Sequence, residues 1–212
     1  MLKAETASRL GTATLTVQPH YIRLAVEVMQ GSGVLVGTVA GFPYGNETPA
    51  LKEFQARTVL ELGAQEIDMV MNIPALKNGE RELFLQDIRG VVRAAQGWKV
   101  KVILENCYLT QEEKQRACQW ITEAGAHFVK TSTAYAEGGA TLEDVRLMYE
   151  AVEGKCEVKA AGGVRTIEEV LAFLKAGARR FGSSRTELFV QAFQALPEQE
   201  KEAFEEFVMT TA

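Results

Sequence analysis

Four charged residues recur at matched places along the chain: Asp68, Lys101, Lys130 and Lys159, separated by 33, 29 and 29 residues. Each is bracketed by apolar or small neighbours, namely Ile67 and Met69, Val100 and Val102, Val129 and Thr131, Val158 and Ala160. Side chains alternate along a strand, so if the flanking residues face outward the four charged groups share one inner face. Three lysines around one aspartate define a particular chemistry. A cation about 4 Å away, at an effective dielectric of about 20, disfavours a second ammonium by about 4 kcal/mol, or roughly three pKa units. Lys130 is therefore expected to be available as a free amine near neutral pH. Such an amine condenses with a carbonyl to give a Schiff base, whose iminium withdraws electrons from an adjacent carbon-carbon bond. Asp68 is the candidate proton relay. The competing reading is structural: lysines at strand starts run their aliphatic stems along the core and reach water, as Lys99 is expected to do. Lys130 and Lys159 lie in mid-strand, where an unpaired charge is costly without a function, and that favours chemistry.

The elements that would position these residues are punctuated by glycine. Gly11, Gly33, Gly63, Gly97, Gly125, Gly154 and Gly177 each close a helical segment or its following turn. After each comes a β-rich run: "ATLTV" from Ala13, "VLVGTVAG" from Val34, "EIDMVMN" from Glu66, "KVKVILEN" from Lys99, "FVKTST" from Phe128, "EVKAAGG" from Glu157 and "RRFGSS" from Arg179. Helix starts carry caps, with Thr110 and Glu113, Thr141 and Asp144, and Thr166 and Glu169 at capping-box spacing, and Pro49 following Thr48. Leu83, Phe84, Ile88, Val91 and Val92 form an apolar helical stripe. Strict alternation at about 30 residues per unit implies parallel strands joined by right-handed crossovers. A doubly wound sheet competes, but "GSGVLVG" at Gly31 precedes its strand and reads as a turn. The fold expected is an α/β (β/α)₈ barrel with about seven recognisable strands.

Bulk properties fit one domain over residues 1–212. The 212 residues are 47% apolar, enough for a substantial core. The net charge of -5 excludes a general basic field for nucleic acid or an anionic membrane. No apolar run approaches the roughly 20 residues of a bilayer span. Cys107, Cys118 and Cys156 are too scattered for a zinc pattern and suit a reducing, cytoplasmic setting. His20 and His127 form no metal pair, and neither a Walker loop nor a G-x-S-x-G elbow is present. No metal is expected.

The chain resembles the 2-deoxyribose-5-phosphate aldolase family, class I aldolases on a (β/α)₈ barrel, from about Leu10 to about Val190. The motifs are "GFPYGNET" from Gly41, "EIDMVMNIPALKNG" from Glu66, "VKVILENCYLT" from Val100, "AGAHFVKTSTAY" from Ala124 and "VKAAGGVRT" from Val158. The resemblance implies Lys130 as the Schiff-base lysine, Lys159 as the lysine that perturbs it, and Asp68 as proton relay. It implies Lys101, with Thr131 and Thr133, as substrate contacts. The implied reaction is reversible cleavage of 2-deoxyribose 5-phosphate to acetaldehyde and glyceraldehyde 3-phosphate, in nucleoside catabolism, without metal or organic cofactor. Phosphate is expected at Gly162 and Gly163, whose loop leads into a helix start with N–H groups open to an anion. Gly182, Ser183, Ser184 and Arg185 form the other half of that cradle. Arg185 stands where the family has a second serine, and either pairs with phosphate or points outward. Ala134 takes the place of a family glycine. Nothing matches the family's opening strand with its I-D-H-T motif, whose aspartate joins the relay. A barrel short of one strand leaves two edges unpaired. Cover is expected from a second copy in a homo-oligomer or from a C-terminal helix with Phe204, Phe207 and Val208 on one face. Two functions are thus in contention: an aldolase, and a non-catalytic phosphosugar-binding or assembly relative lacking the complete relay.

Overall fold

The computed structural model describes residues 2–202. Seven strands, β1 (Thr14–Thr16), β2 (Leu35–Ala40), β3 (Glu66–Val70), β4 (Lys99–Ile103), β5 (Phe128–Lys130), β6 (Glu157–Ala161) and β7 (Ala178–Gly182), form one parallel sheet in chain order. Each falls, to within one residue, in a run expected to be a strand. The sheet is strongly curled. Arg180 of β7 reaches Glu66 of β3 at 3.4 Å, although strands four places apart in a flat sheet stand roughly 19 Å from one another. The curl makes this a TIM-barrel-like fold, but the ring of strands stays open. Among the described residues β1 pairs only with β2, and β7 only with β6.

The outer face is covered by α-helices: α1 (Leu2–Leu10), α2 (Ile22–Met29), α3 (Pro49–Glu61), α4 (Ile73–Lys77), α5 (Arg81–Ala94), α6 (Gln111–Glu123), α7 (Leu142–Ala151), α8 (Ile167–Lys175) and α9 (Thr186–Gln194). The core lies between helices and sheet. There the flankers Ile67, Met69, Val100, Val102, Val129, Val158 and Ala160 are fully buried against stripes such as Phe84, Ile88 and Val91 of α5. Leu83 stands at the exposed edge of its stripe. With the outward positions apolar, the alternating positions between them carry the charges inward.

Local signals behave as their chemistry dictates. Both halves of the capping box form at Thr110 with Glu113 and at Thr166 with Glu169, while Thr141 accepts only the Asp144 N–H. All seven marker glycines take positive φ. At Gly177 (φ +110°) space also decides, because a Cβ there would lie 2.3 Å from the Tyr149 ring. Helices close the ring that the strands leave open: α1 packs on α9, where Arg9 pairs with Glu187. Residues 198–202 begin the expected C-terminal helix, and its Phe204, Phe207 and Val208 lie outside the described residues.

Candidate active site

Asp68, in the middle of β3, is the hub of the interior. Its Oδ1 accepts from Lys101 Nζ at 2.8 Å, and its Oδ2 accepts from both Lys130 Nζ at 2.7 Å and Lys159 Nζ at 2.6 Å. Lys101 Nζ also lies 2.6 Å from Glu66 Oε2, and Glu66 in turn meets Arg180. The four residues singled out by spacing therefore converge on one point, but in two layers. Asp68 pairs in register with Lys101, and Lys130 with Lys159, whereas Lys130 stands beside Ile103 and not Lys101. Lys130 thus projects one inward-facing position nearer the carboxyl end of the sheet. It keeps 10% of its side chain exposed, against 6% for Lys159 and none for Lys101, so it is the most accessible of the three. Lys99 is exposed at the start of β4, as expected, with its ammonium over the Phe128 ring.

The electrostatics follow from burial and crowding. Burial alone would raise the Asp68 carboxyl, but Lys130, Lys159 and Lys101 outweigh it and hold the group well below the usual carboxylate range. For Lys159, burial is the largest influence and lowers the ammonium. Asp68 opposes that, the charges of Lys130 and Lys101 reinforce it, and the result is about 8.

Glu66 and Arg180 escape a reading based on repeated spacing, although Glu66 lies two residues before Asp68 and so on the same strand face. Glu105, just past β4, is another such residue. It is buried with a left-handed φ of +57° and accepts from the Thr133 N–H and hydroxyl. A non-glycine residue held there is strained. Thr131 spends its hydroxyl between β5 and β6, donating to Ala161 O at 2.8 Å and accepting the Ala161 N–H at 3.0 Å. The Thr133 hydroxyl accepts from the Tyr135 N–H. Both threonines shape the loop beyond Lys130. Within it Ala134 keeps a left-handed φ of +68°, at a cost of about 1–2 kcal/mol relative to glycine.

The two halves of the expected phosphate cradle meet. Ser183 Oγ donates to Val164 O at 2.9 Å and accepts from the Arg185 N–H at 3.0 Å, tying the loop after β7 to the loop after β6. Gly162 and Gly163 turn that second loop with φ of +85° and +78°. Ser184 and Arg185 are exposed, and Gly182 lies against the Lys159 stem. One expectation needs correction: the Arg165 and Thr166 N–H groups at the start of α8 both bond to Glu169, so they are not open to an anion. The capping box itself occupies them. His20 is exposed, and His127 accepts the Val100 N–H through Nδ1.

Residues 3–185 match the DeoC/LacD family aldolase. A deoxyribose-phosphate aldolase of Staphylococcus epidermidis is 48% identical over 182 residues, which span 86% of this chain and 83% of that protein. The solved structure of the aldolase QR15 superimposes with a TM-score of 0.86 at 34% identity, covering 91% of this chain and 86% of that one. The tetrameric deoxyribose phosphate aldolase of Aeropyrum pernix gives a TM-score of 0.82 at 28% identity, covering 92% of this chain and 82% of that one.

Proposed function

The chain belongs to the DeoC/LacD family of aldolases, and from that premise we propose that it works, as one domain, as a class I aldolase cleaving 2-deoxyribose 5-phosphate. The observation that carries the reading is the sharing of Asp68 Oδ2 by Lys130 and Lys159 inside the curled sheet. Lys130 Nζ adds to the aldehyde carbon of the open-chain sugar, and the carbinolamine loses water to leave an iminium. The iminium draws the electron pair of the C2–C3 bond as the C3 hydroxyl gives up its proton, releasing glyceraldehyde 3-phosphate. The remaining enamine takes a proton at C2, and hydrolysis frees acetaldehyde and Lys130.

The proton work falls to Lys159 more than to Asp68. A carboxylate held far below its usual range is a weak base, whereas an ammonium near 8 gives and takes protons close to neutral pH. About a tenth of Lys159 is free amine at pH 7 on that value, able to accept the proton Lys130 must lose. Asp68 stays ionised, bridging the two ammonium groups and making their exchange short. Lys101 is held by Asp68 and Glu66 and is assigned to substrate polar groups. The interior holds four cations, Lys101, Lys130, Lys159 and Arg180, against two carboxylates, Glu66 and Asp68, and that surplus suits an anionic sugar. Phosphate is assigned to Gly162, Gly163, Gly182, Ser183, Ser184 and the exposed guanidinium of Arg185.

A second copy is the proposed cover for the open edges of β1 and β7, in keeping with the tetrameric A. pernix relative. Three free thiols suit a reducing cytoplasm. The decisive experiment is borohydride reduction in the presence of acetaldehyde. An ethyl group on the peptide containing Lys130 is expected, and an unmodified Lys130 overturns the aldolase reading.

A further inference from the structure

A second buried lysine-carboxylate pair lies outside the curled sheet. Lys52 of α3 and Asp87 of α5 are both fully buried, with Nζ to Oδ2 at 2.6 Å. Apolar side chains of similar size would pack such a spot at less cost in desolvation. What the pair adds is direction. Lys52 Nζ donates to the carbonyl of Val70, the last residue of β3, at 2.9 Å. The Asp87 carboxylate faces the backbone of Asn72, on the far side of Met71, and that backbone favours its charged form. Lys52 thereby ties the carboxyl end of β3, two residues beyond Asp68, to Asp87 of α5.

The same lysine stem supports the loop from Gly41 to Thr48. A Cβ on Gly41 would lie 2.7 Å from Lys52 Cε, and one on Gly45 would lie 2.1 Å from Met71 O, so the loop rests directly on this pair and on the chain after β3. Glu47 of the loop turns a buried carboxylate oxygen without a hydrogen-bond partner toward the same place, and Asp87 Oδ1 is likewise unbonded. The loop then reaches the loop that follows Lys130, because the Phe42 ring meets Tyr135 edge-on at 5.3 Å and the Tyr135 N–H bonds to the Thr133 hydroxyl.

We infer that Lys52 and Asp87 are positioning residues, setting the end of β3 and the 41–48 loop so that Asp68 and the wall of the site face Lys130 correctly. The inference rests on the aldolase reading. It also carries a pH signature. The titratable groups facing Asp87 are Lys52 from α3 and Glu47 from the loop, while β3 offers only backbone. Burial, only partly offset by Lys52, pushes the Asp87 carboxyl up to about 6. Protonation below that value removes the charge that holds Lys52.

The test compares kcat/KM of the wild type with Asp87→Asn, which keeps an acceptor of the same shape but no charge. Their ratio is expected to be roughly tenfold or more at pH 7.5 and to approach one as pH falls through 6, since protonated Asp87 and asparagine are then alike. Taking the ratio cancels the titration of Lys159. A ratio that does not change with pH overturns the inference. The double variant Lys52→Met/Asp87→Leu, checked for folding by circular dichroism, is the second arm. It should lose kcat/KM to a similar degree, and wild-type activity in it would show the pair to be structural only. Acetaldehyde and borohydride separate the two proposals: an unlabelled wild type sinks both, whereas a labelled wild type beside a fully active double variant sinks this one alone.

Discussion

Two buried lysine-carboxylate groups are anchored on β3, and their carboxylates are tuned in opposite senses. Around Asp68 three lysines crowd one carboxylate, which is driven well below its usual range while Lys159 is driven down to about 8. At Asp87 one lysine faces one carboxylate. There desolvation prevails, lifting the acid to about 6 and lowering Lys52. Surplus cation keeps a buried carboxylate ionised, and a single partner leaves burial the upper hand. Burial lowers both lysines, and the number of cations around each carboxylate decides whether that acid is driven down or up.

That contrast is broken most directly at Lys130. Lys130→Met should lower kcat by at least ~10⁴ and abolish borohydride labelling, measured by coupled assay and mass spectrometry; residual labelling elsewhere in the chain would move the nucleophile. Lys159→Met should cost about 10² to 10³ in kcat and remove the rise in kcat/KM through about pH 8 expected of the wild type. Because Asp68 still keeps two cations, this variant should unfold in urea close to the wild-type midpoint. Lys52→Met should do the reverse. It strands Asp87 without a cation and is expected to cost about 3–5 kcal/mol of stability, with a smaller loss in kcat than Lys159→Met; equal urea midpoints for the two variants would erase the distinction. The smallest effect is expected at Arg185, whose exposed guanidinium contributes about 1 kcal/mol at most. Arg185→Ser should raise KM for the phosphorylated sugar a few-fold and leave the unphosphorylated analogue unaffected.

What the sequence reveals follows from which contacts are periodic. Asp68, Lys101, Lys130 and Lys159 stand out because a charge between Val and Ile neighbours breaks an otherwise apolar strand, and the repeat brings the breaks together. Glu66 and Arg180 lie on the same inner face, but Glu66 opens its strand and Arg180 follows a second arginine, so each is easily taken for a solvated charge. Lys52 and Asp87 are hidden differently. Asp87 falls on the buried stripe of Phe84, Ile88 and Val91, and Lys52 on that of Ala56 and Val59, yet each looks like an error until its partner 35 residues away is seen. The Thr166 capping box is legible as a helix start. Its consequence, that Glu169 takes the N–H groups an anion would otherwise use, emerges only from geometry.

The Arg9–Glu187 contact has a mechanical meaning. Where backbone pairing is continuous, each strand is secured by a ladder of amide bonds. Between the first and last strands that load falls on an exposed ionic latch and the packing of two short helices. Such a latch weakens with salt, so the α1–β1 seam should exchange amide protons and admit proteases before the rest of the molecule does.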